Sequence, residues 1–290
     1  MLVRCFSVLA AAAVLCAQPP LSDEIIDTRL HLTGSLIGDP RSAEAVAQWA
    51  LQRLRTTNNP AYADLLERAL LNRALRGHLP MALASSGGHL YVNLYEDGAV
   101  DWPGGRIVQR TRYPFDGTVE IELQRSEPAA FTLHLRIPAW VSKAEVTVAG
   151  AELSAKPGTY ASLSREWRAG ERVKLTFDLT PRLLIAHPGL RQYAGRAAVA
   201  FGPLVYTLAP TSNTDPADLA LASFNPVRPR RRPDGVVVLD HLGSQSIKPS
   251  RGQPLYQPFS RRATRRADLT LIPFALSSEP DPDAVWIPVE

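Results

Sequence analysis

The chain changes its hydrophobic rhythm near residue 88. Before that point apolar residues recur at helical spacing. Ala43, Val46, Ala47, Ala50, Leu51 and Leu54 form one stripe, and Tyr62, Leu65, Leu66, Ala69, Leu70 and Leu75 form a second. Asp39-Pro40 followed by Ser42 supplies a turn and a cap for the first helix, Asn58-Asn59-Pro60 divides the two, and Gly77 is the expected stop of the second. After Gly88 the pattern alternates. Leu90, Val92 and Leu94 interleave with Tyr91, Asn93 and Tyr95. Phe131, Leu133, Leu135 and Ile137 behave likewise, as do Val173, Leu175, Phe177 and Leu179. Shorter strand signals cover 107–112, 119–123, 146–148, 197–201, 204–208, 236–239 and 269–272. Turn dipeptides separate them at Asp116-Gly117, Pro157-Gly158, Ala169-Gly170 and Gly202-Pro203. Strands at this spacing with no helices between them predict an antiparallel sandwich or barrel, because parallel neighbours need long crossovers. Residues 213–260 are less regular and read as long loops with one strand.

Composition keeps this picture within ordinary globular limits. The 290 residues suffice for one large domain or two modest ones with a real core. Hydrophobic residues are 45% and charged residues 21%, and the 25 prolines and 18 glycines, which are not periodic, suit a protein of many turns. No apolar run beyond the N-terminus is long enough to span a membrane.

The N-terminus admits two readings. Arg4 and the apolar run Cys5 to Ala17, with Leu15-Cys16-Ala17 before Gln18, have the form of a signal peptide, which implies a secreted or periplasmic protein. Alternatively Val8, Leu9, Ala12, Ala13 and Leu15 are the core face of a buried helix, and the protein is cytoplasmic. Cys5 and Cys16 are the only cysteines, so past Ala17 no thiol is available for a disulfide or a metal.

The formal charge is +4, and much of the excess base lies in Arg228 to Arg232 and Arg261 to Arg266. A basic cluster can serve a polyanion. No aromatic residues interleave with these arginines as a nucleic-acid stacking platform requires, so nucleic acid is not an expected partner. Pro226, Pro229 and Pro233 exclude a central strand, and both clusters are expected on exposed loops.

Motifs that carry chemistry are scarce. There is no GxGxxG, P-loop, HExxH, GxSxG or cysteine ladder. His31, His78, His89, His134, His187 and His241 show no ligand spacing and read as surface or structural residues. Sugar hydrolysis uses paired carboxylates, and the candidates are Glu44, Asp64, Glu67, Glu96, Asp97, Asp101, Asp116, Glu120 and Glu122. Asp64 and Glu67 read as the solvated face of the second helix, and Glu120 and Glu122 as one outer strand face.

Several blocks resemble glycoside hydrolase family 127, of the β-L-arabinofuranosidase type. Tyr62 to Asn72 looks like the helix that leaves that family's (α/α) barrel, and Leu90 to Tyr95 like the strand after it. Thr111-Arg-Tyr-Pro-Phe-Asp-Gly117 resembles its Tyr-Pro-Trp turn, with Phe115 in place of tryptophan. Leu135-Arg-Ile-Pro-Ala-Trp140 resembles its Arg-Ile-Pro-x-Trp block. Arg165 to Gly170, Ala200 to Tyr206, Leu271 to Phe274 and Val285 to Pro288 match further blocks in order. The resemblance implies a mainly β protein: antiparallel β-sandwiches preceded by two helices that resemble the end of the barrel. The layout is then a leader or helix remnant at 1–17, a helical remnant of the barrel at 18–88, a β-sandwich at 89–210, and loops and strands completing a second sandwich at 211–290.

The same resemblance implies what is missing. The family holds zinc with a glutamate and cysteines, one cysteine being the proposed nucleophile. Glu44 matches the glutamate, but Val46 stands where the first cysteine belongs, and Gly77 to Gly88 lacks the cysteine pair. The segment that should carry the acid/base glutamate is absent between Thr33-Gly-Ser-Leu-Ile-Gly38 and Glu44. The expectation is a carbohydrate-active protein that is truncated or inactive, with no catalytic residues, no cofactor, and Glu44 as the relic of a zinc ligand. Two alternatives stand beside it: a carbohydrate-binding accessory module that stacks sugars on Trp102, Trp140 or Trp167, though core packing is the preferred role for these rings, and a polyanion binder using the arginines.

Overall fold

The computed structural model describes residues 40–73, 77–210, 218–247, 264–278 and 282–290. Two helices come first, α1 (Pro40–Thr57) and α2 (Pro60–Leu71). Between them Asn59 caps α2: its side-chain oxygen accepts the Ala61 N–H at 3.0 Å, with Pro60 in the first turn. Ala47, Ala50 and Leu54 of α1 pack on Ala63 and Leu66 of α2, with Ala82 and Leu94 closing this small core. Helix α1 begins at Pro40, ahead of the Ser42 cap expected from sequence. Helix α2 ends at Leu71, short of Leu75 and Gly77. Asn72 stops it, and its side-chain amide donates to the Arg68 carbonyl. Leu75 lies outside the described residues.

The remainder is β structure in three sheets. The first has the order β1 (Leu83–Ser86), β2 (His89–Val92), β6 (Ala129–Ile137), β9 (Thr159–Trp167). The second has the order β3 (Gly98–Trp102), β4 (Gly105–Thr111), β5 (Thr118–Gln124), β10 (Glu171–Phe177), β7 (Ala144–Val148), β8 (Ala151–Ala155). In the third, β11 (Pro181–Ile185), β12 (Arg196–Phe201), β13 (Leu204–Leu208), β17 (Thr264–Pro273), β16 (Val237–Ser246) and β14 (Leu219–Ala220) are neighbours in that order. There β15 (Arg228–Arg231) pairs with β16 and β18 (Ile287–Pro288) with β12. Inward residues of all three sheets, among them Leu90, Ile121, Leu133, Trp167, Val173, Tyr206 and Leu271, belong to one continuous core.

Most pairings are antiparallel, as the alternating pattern predicts, but β2 and β6 run parallel, in register His89 to Thr132. The long crossover that a parallel pair needs is present here without a helix. The chain leaves the first sheet after β2, builds β3, β4 and β5 as hairpins of the second sheet, and returns as β6. Strands of the opposite sheet serve as the crossover. The segment Gly77 to Gly88 is also more ordered than a bridge. It holds β1 and a hairpin turn at Gly87-Gly88, whose φ values of +56° and +80° favour glycine.

The region 213–260, expected to be loops with one strand, contains β14, β15 and the ten-residue β16 in its described part. Strands β12 and β13 belong to the same third sheet.

Candidate functional site

Glu44, the matched zinc-ligand position, sits on α1 with its side chain 39% exposed, and its carboxylate accepts a hydrogen bond from Arg73 Nη1 at 3.1 Å. Among the described residues no three His, Cys, Asp or Glu side chains gather as a metal-binding group. Cys5 and Cys16 lie outside the described residues, as does His31.

Most of the other candidate carboxylates are engaged in structure. Glu96 receives the backbone N–H groups of Gly77 and His78, both at 2.6 Å. Asp97 accepts from Thr111 N, Asp101 pairs with Arg106, and Asp116 holds Arg112 and Thr118 N. Glu122 lies between Arg110 at 2.8 Å and Arg172 at 2.9 Å; the hydrogen bonds from Arg110 and Gln124 hold its carboxyl down at about 2. Exposed Glu120 shares the outer face of β5 with it, as expected.

Asp64 and Glu67 overturn their assignment to a solvated face. Glu67 is 1% exposed. It ion-pairs with Arg136, accepts the Tyr113 hydroxyl at 2.6 Å and accepts the Trp140 indole N–H at 3.1 Å. Asp64 takes the other side of the Arg136 guanidinium and accepts the Ala139 N–H at 3.1 Å. Arg136 itself is fully buried near the end of β6, and its Nε donates to the Asn93 carbonyl at 2.6 Å. Burial alone would lower the basicity of Arg136, but Glu67 and Asp64 outweigh it and hold the guanidinium firmly protonated. Burial raises the Tyr95 and Tyr113 phenols, keeping both neutral. The sequence signal was present in the Leu135-Arg-Ile-Pro-Ala-Trp140 block, where a charge interrupts an apolar strand. With Glu67 buried and its oxygens occupied, this cluster docks α2 onto the sandwich.

The tryptophans pack, as preferred. Trp167 is fully buried, donating to the Phe131 carbonyl. Half-buried Trp140 bonds Glu67 and lies beneath the Arg182 guanidinium. Trp102 packs on Phe131 and Arg125, and its ring crowds Gly104, where a Cβ would come within 2.2 Å. The first arginine cluster is exposed but is not a loop. Arg228–Arg231 form β15 at the sheet edge, which tolerates Pro229 because an edge N–H needs no ladder partner. There Arg230 clasps Asp240 at 2.5 and 3.0 Å, Arg231 donates to two carbonyls, and Arg232 pairs with Asp234. In the second cluster Arg265 and Arg266 lie on β17, with Arg265 bonded to Gln245; Arg261 and Arg262 lie outside the described residues.

Of the histidines, His241 is buried and accepts the Ala222 N–H, while His187 accepts from Gly189 N. His89 and His134 are different. They meet on the outer face of the first sheet, with His89 Nδ1 and His134 Nε2 2.9 Å apart. His134 Nδ1 lies 2.8 Å from Ser162 Oγ, and Tyr91 stacks on the His134 ring at 4.3 Å and 10°. Burial and the neighbouring His89 lower the His134 pKa.

Residues 89–179 match the family described as "Beta-L-arabinofuranosidase, GH127 middle domain". A GH127 β-L-arabinofuranosidase from Geobacillus stearothermophilus T6 superposes with a TM-score of 0.72 at 24% identity, covering 85% of this chain and 49% of that one. A second structure, titled a glycoside hydrolase, gives 0.71 at 24%, covering 87% and 52%. A GH127 β-arabinofuranosidase gives 0.71 at 21%, covering 87% and 49%. Over most of its length the chain resembles the GH127 β-L-arabinofuranosidases. It spans about half the length of these structures. No curated protein matches the sequence.

The donor set of this GH127-like chain does not fit the zinc that the resemblance implies. Glu44 is bound by Arg73, it belongs to no group of three His, Cys, Asp or Glu among the described residues, and no thiol follows Ala17. A single carboxylate cannot confine zinc, which takes about four ligands in a structural site and about three plus water in a catalytic one.

Proposed function

We propose that this chain is a carbohydrate-directed β-sandwich scaffold of the GH127 type that does not itself hydrolyse glycosides. One observation carries the reading: Glu44, the matched ligand position, is committed to an ion pair with Arg73 at 3.1 Å. Thiolate attack needs an ionised sulfur, and residues 18–290 contain none. A carboxylate pair could replace it at a separation of roughly 5–5.5 Å. The carboxylates of half-buried Asp64 and buried Glu67 are already bound to Arg136. The family likeness supports the carbohydrate direction, and the missing thiol together with the Arg136-bound Asp64 and Glu67 supports the absence of hydrolysis.

The test is equilibrium dialysis of the purified chain and its Glu44→Gln variant against zinc. The reading expects the two to retain the same amount of metal. Stoichiometric zinc in the wild type that disappears in Glu44→Gln would overturn it.

A further inference from the structure

The outer face of the first sheet is unlike the rest of the surface. Two cross-strand rows, Ser86–His89–Thr132–Ser164 and Ala84–Tyr91–His134–Ser162, contain no charged side chain. At their centre the exposed His89 and the half-buried His134 face each other across the parallel β2–β6 junction. We propose that His89 Nδ1 and His134 Nε2 form a bidentate surface site for a divalent transition metal of the copper(II) or nickel(II) kind. The site is separate from Glu44 and does not depend on the function proposed above.

Geometry selects the metal class. Imidazole nitrogens bind such ions at about 2.0–2.1 Å, and two bonds of that length at a right angle span about 2.9 Å. That is the observed separation of the two nitrogens, 2.9 Å. Tetragonal copper(II) and nickel(II) present ligand positions at right angles, whereas tetrahedral zinc would force the nitrogens apart.

The second layer is also built. Ser162 Oγ, 2.8 Å from His134 Nδ1, accepts the hydrogen bond that Nδ1–H donates in the tautomer whose Nε2 carries the free lone pair. Tyr91, stacked at 4.3 Å, fixes the plane of the ring. Without metal, His89 Nδ1–H donates to His134 Nε2, and one proton joins the two rings. On binding, His89 changes tautomer: Nδ1 gives its proton to solvent, Nε2 takes one up, and the freed Nδ1 lone pair joins that of His134 Nε2 on the ion, with water completing the coordination and no net proton released. No bond other than N–H is broken, and no electron is transferred. Because the two residues lie on different strands, the ion ties β2 to β6 and stabilises the folded chain by linkage.

The experiment titrates copper(II), and separately nickel(II), into the full chain and into the His89→Ala and His134→Ala variants. Bound metal and the unfolding temperature are followed, and electron paramagnetic resonance reads nitrogen coupling on copper. The proposal expects one metal per wild-type chain at this site, two coupled nitrogens and a raised unfolding temperature. Each alanine variant loses all of these while keeping the metal-free unfolding temperature near that of the wild type. A Ser162→Ala variant, which folds with both imidazoles intact, binds more weakly. Absence of copper binding by the wild type overturns the proposal, as does binding that is unchanged in His134→Ala.

Discussion

The guanidinium of Arg136, near the end of β6, forms an ion pair with the carboxylate of Glu67 on α2, and both side chains are buried. Asp64 completes the clasp, and Tyr113 and Trp140 fill the remaining acceptor positions of Glu67. This contact fastens the helices to the sandwich. A buried ion pair is weak evidence of net stability, but removal of one partner strands the other charge, at about 3–5 kcal/mol. Glu67→Ala is therefore expected to destabilise the chain by about that amount. Glu67→Leu combined with Arg136→Met should lose less than the sum of the single changes. Chemical denaturation of the two single variants and the double variant measures it, and strict additivity would show that the pair is not coupled.

A second fastening lies at the end of α2. The Asn72 side chain donates to the Pro203 carbonyl at 3.1 Å and accepts the Val205 N–H at 2.7 Å, so it bridges the helix to the β12–β13 turn. Asn72→Leu leaves buried backbone groups without partners, at about 1–3 kcal/mol for each unsatisfied group. The expected outcome is a lower denaturation midpoint and faster amide exchange at Val205; unchanged exchange there would contradict the bridge.

Acid should loosen the β15–β16 edge. The hydrogen bond from Arg230 holds the Asp240 carboxyl below its ordinary value. A carboxyl depressed in the folded state contributes fully above the unfolded value of about 3.9 and loses that contribution as pH falls through the folded value. Stability should thus fall as pH drops below the unfolded value of about 3.9, and Asp240→Asn should flatten that part of the profile. An unaltered profile in the variant would locate the acid sensitivity elsewhere.

Much of the β architecture was legible because alternation survives wherever one face of a strand is buried, as in Val173, Leu175 and Phe177 of β10. Strands without that contrast were missed: β8, almost wholly exposed, β15, a proline-containing edge, and β11, whose Ile185 is 84% exposed. The parallel β2–β6 pair was hidden because its crossover consists of strands. Sequence placed Asp64 and Glu67 on α2 by helical period but could not see that Arg136 would come to meet them. It also gave no hint of the His89–His134 pair, which two strands bring together from 45 residues apart.

The central claim, that this GH127-like chain lacks glycosidase chemistry, is tested most directly by hydrolysis of an aryl β-L-arabinofuranoside. The assay compares the purified wild type with Glu44→Gln, each with added zinc and with thiols kept reduced. The account predicts that neither protein releases the aryl group above the buffer blank. Turnover by the wild type that vanishes in Glu44→Gln would contradict it.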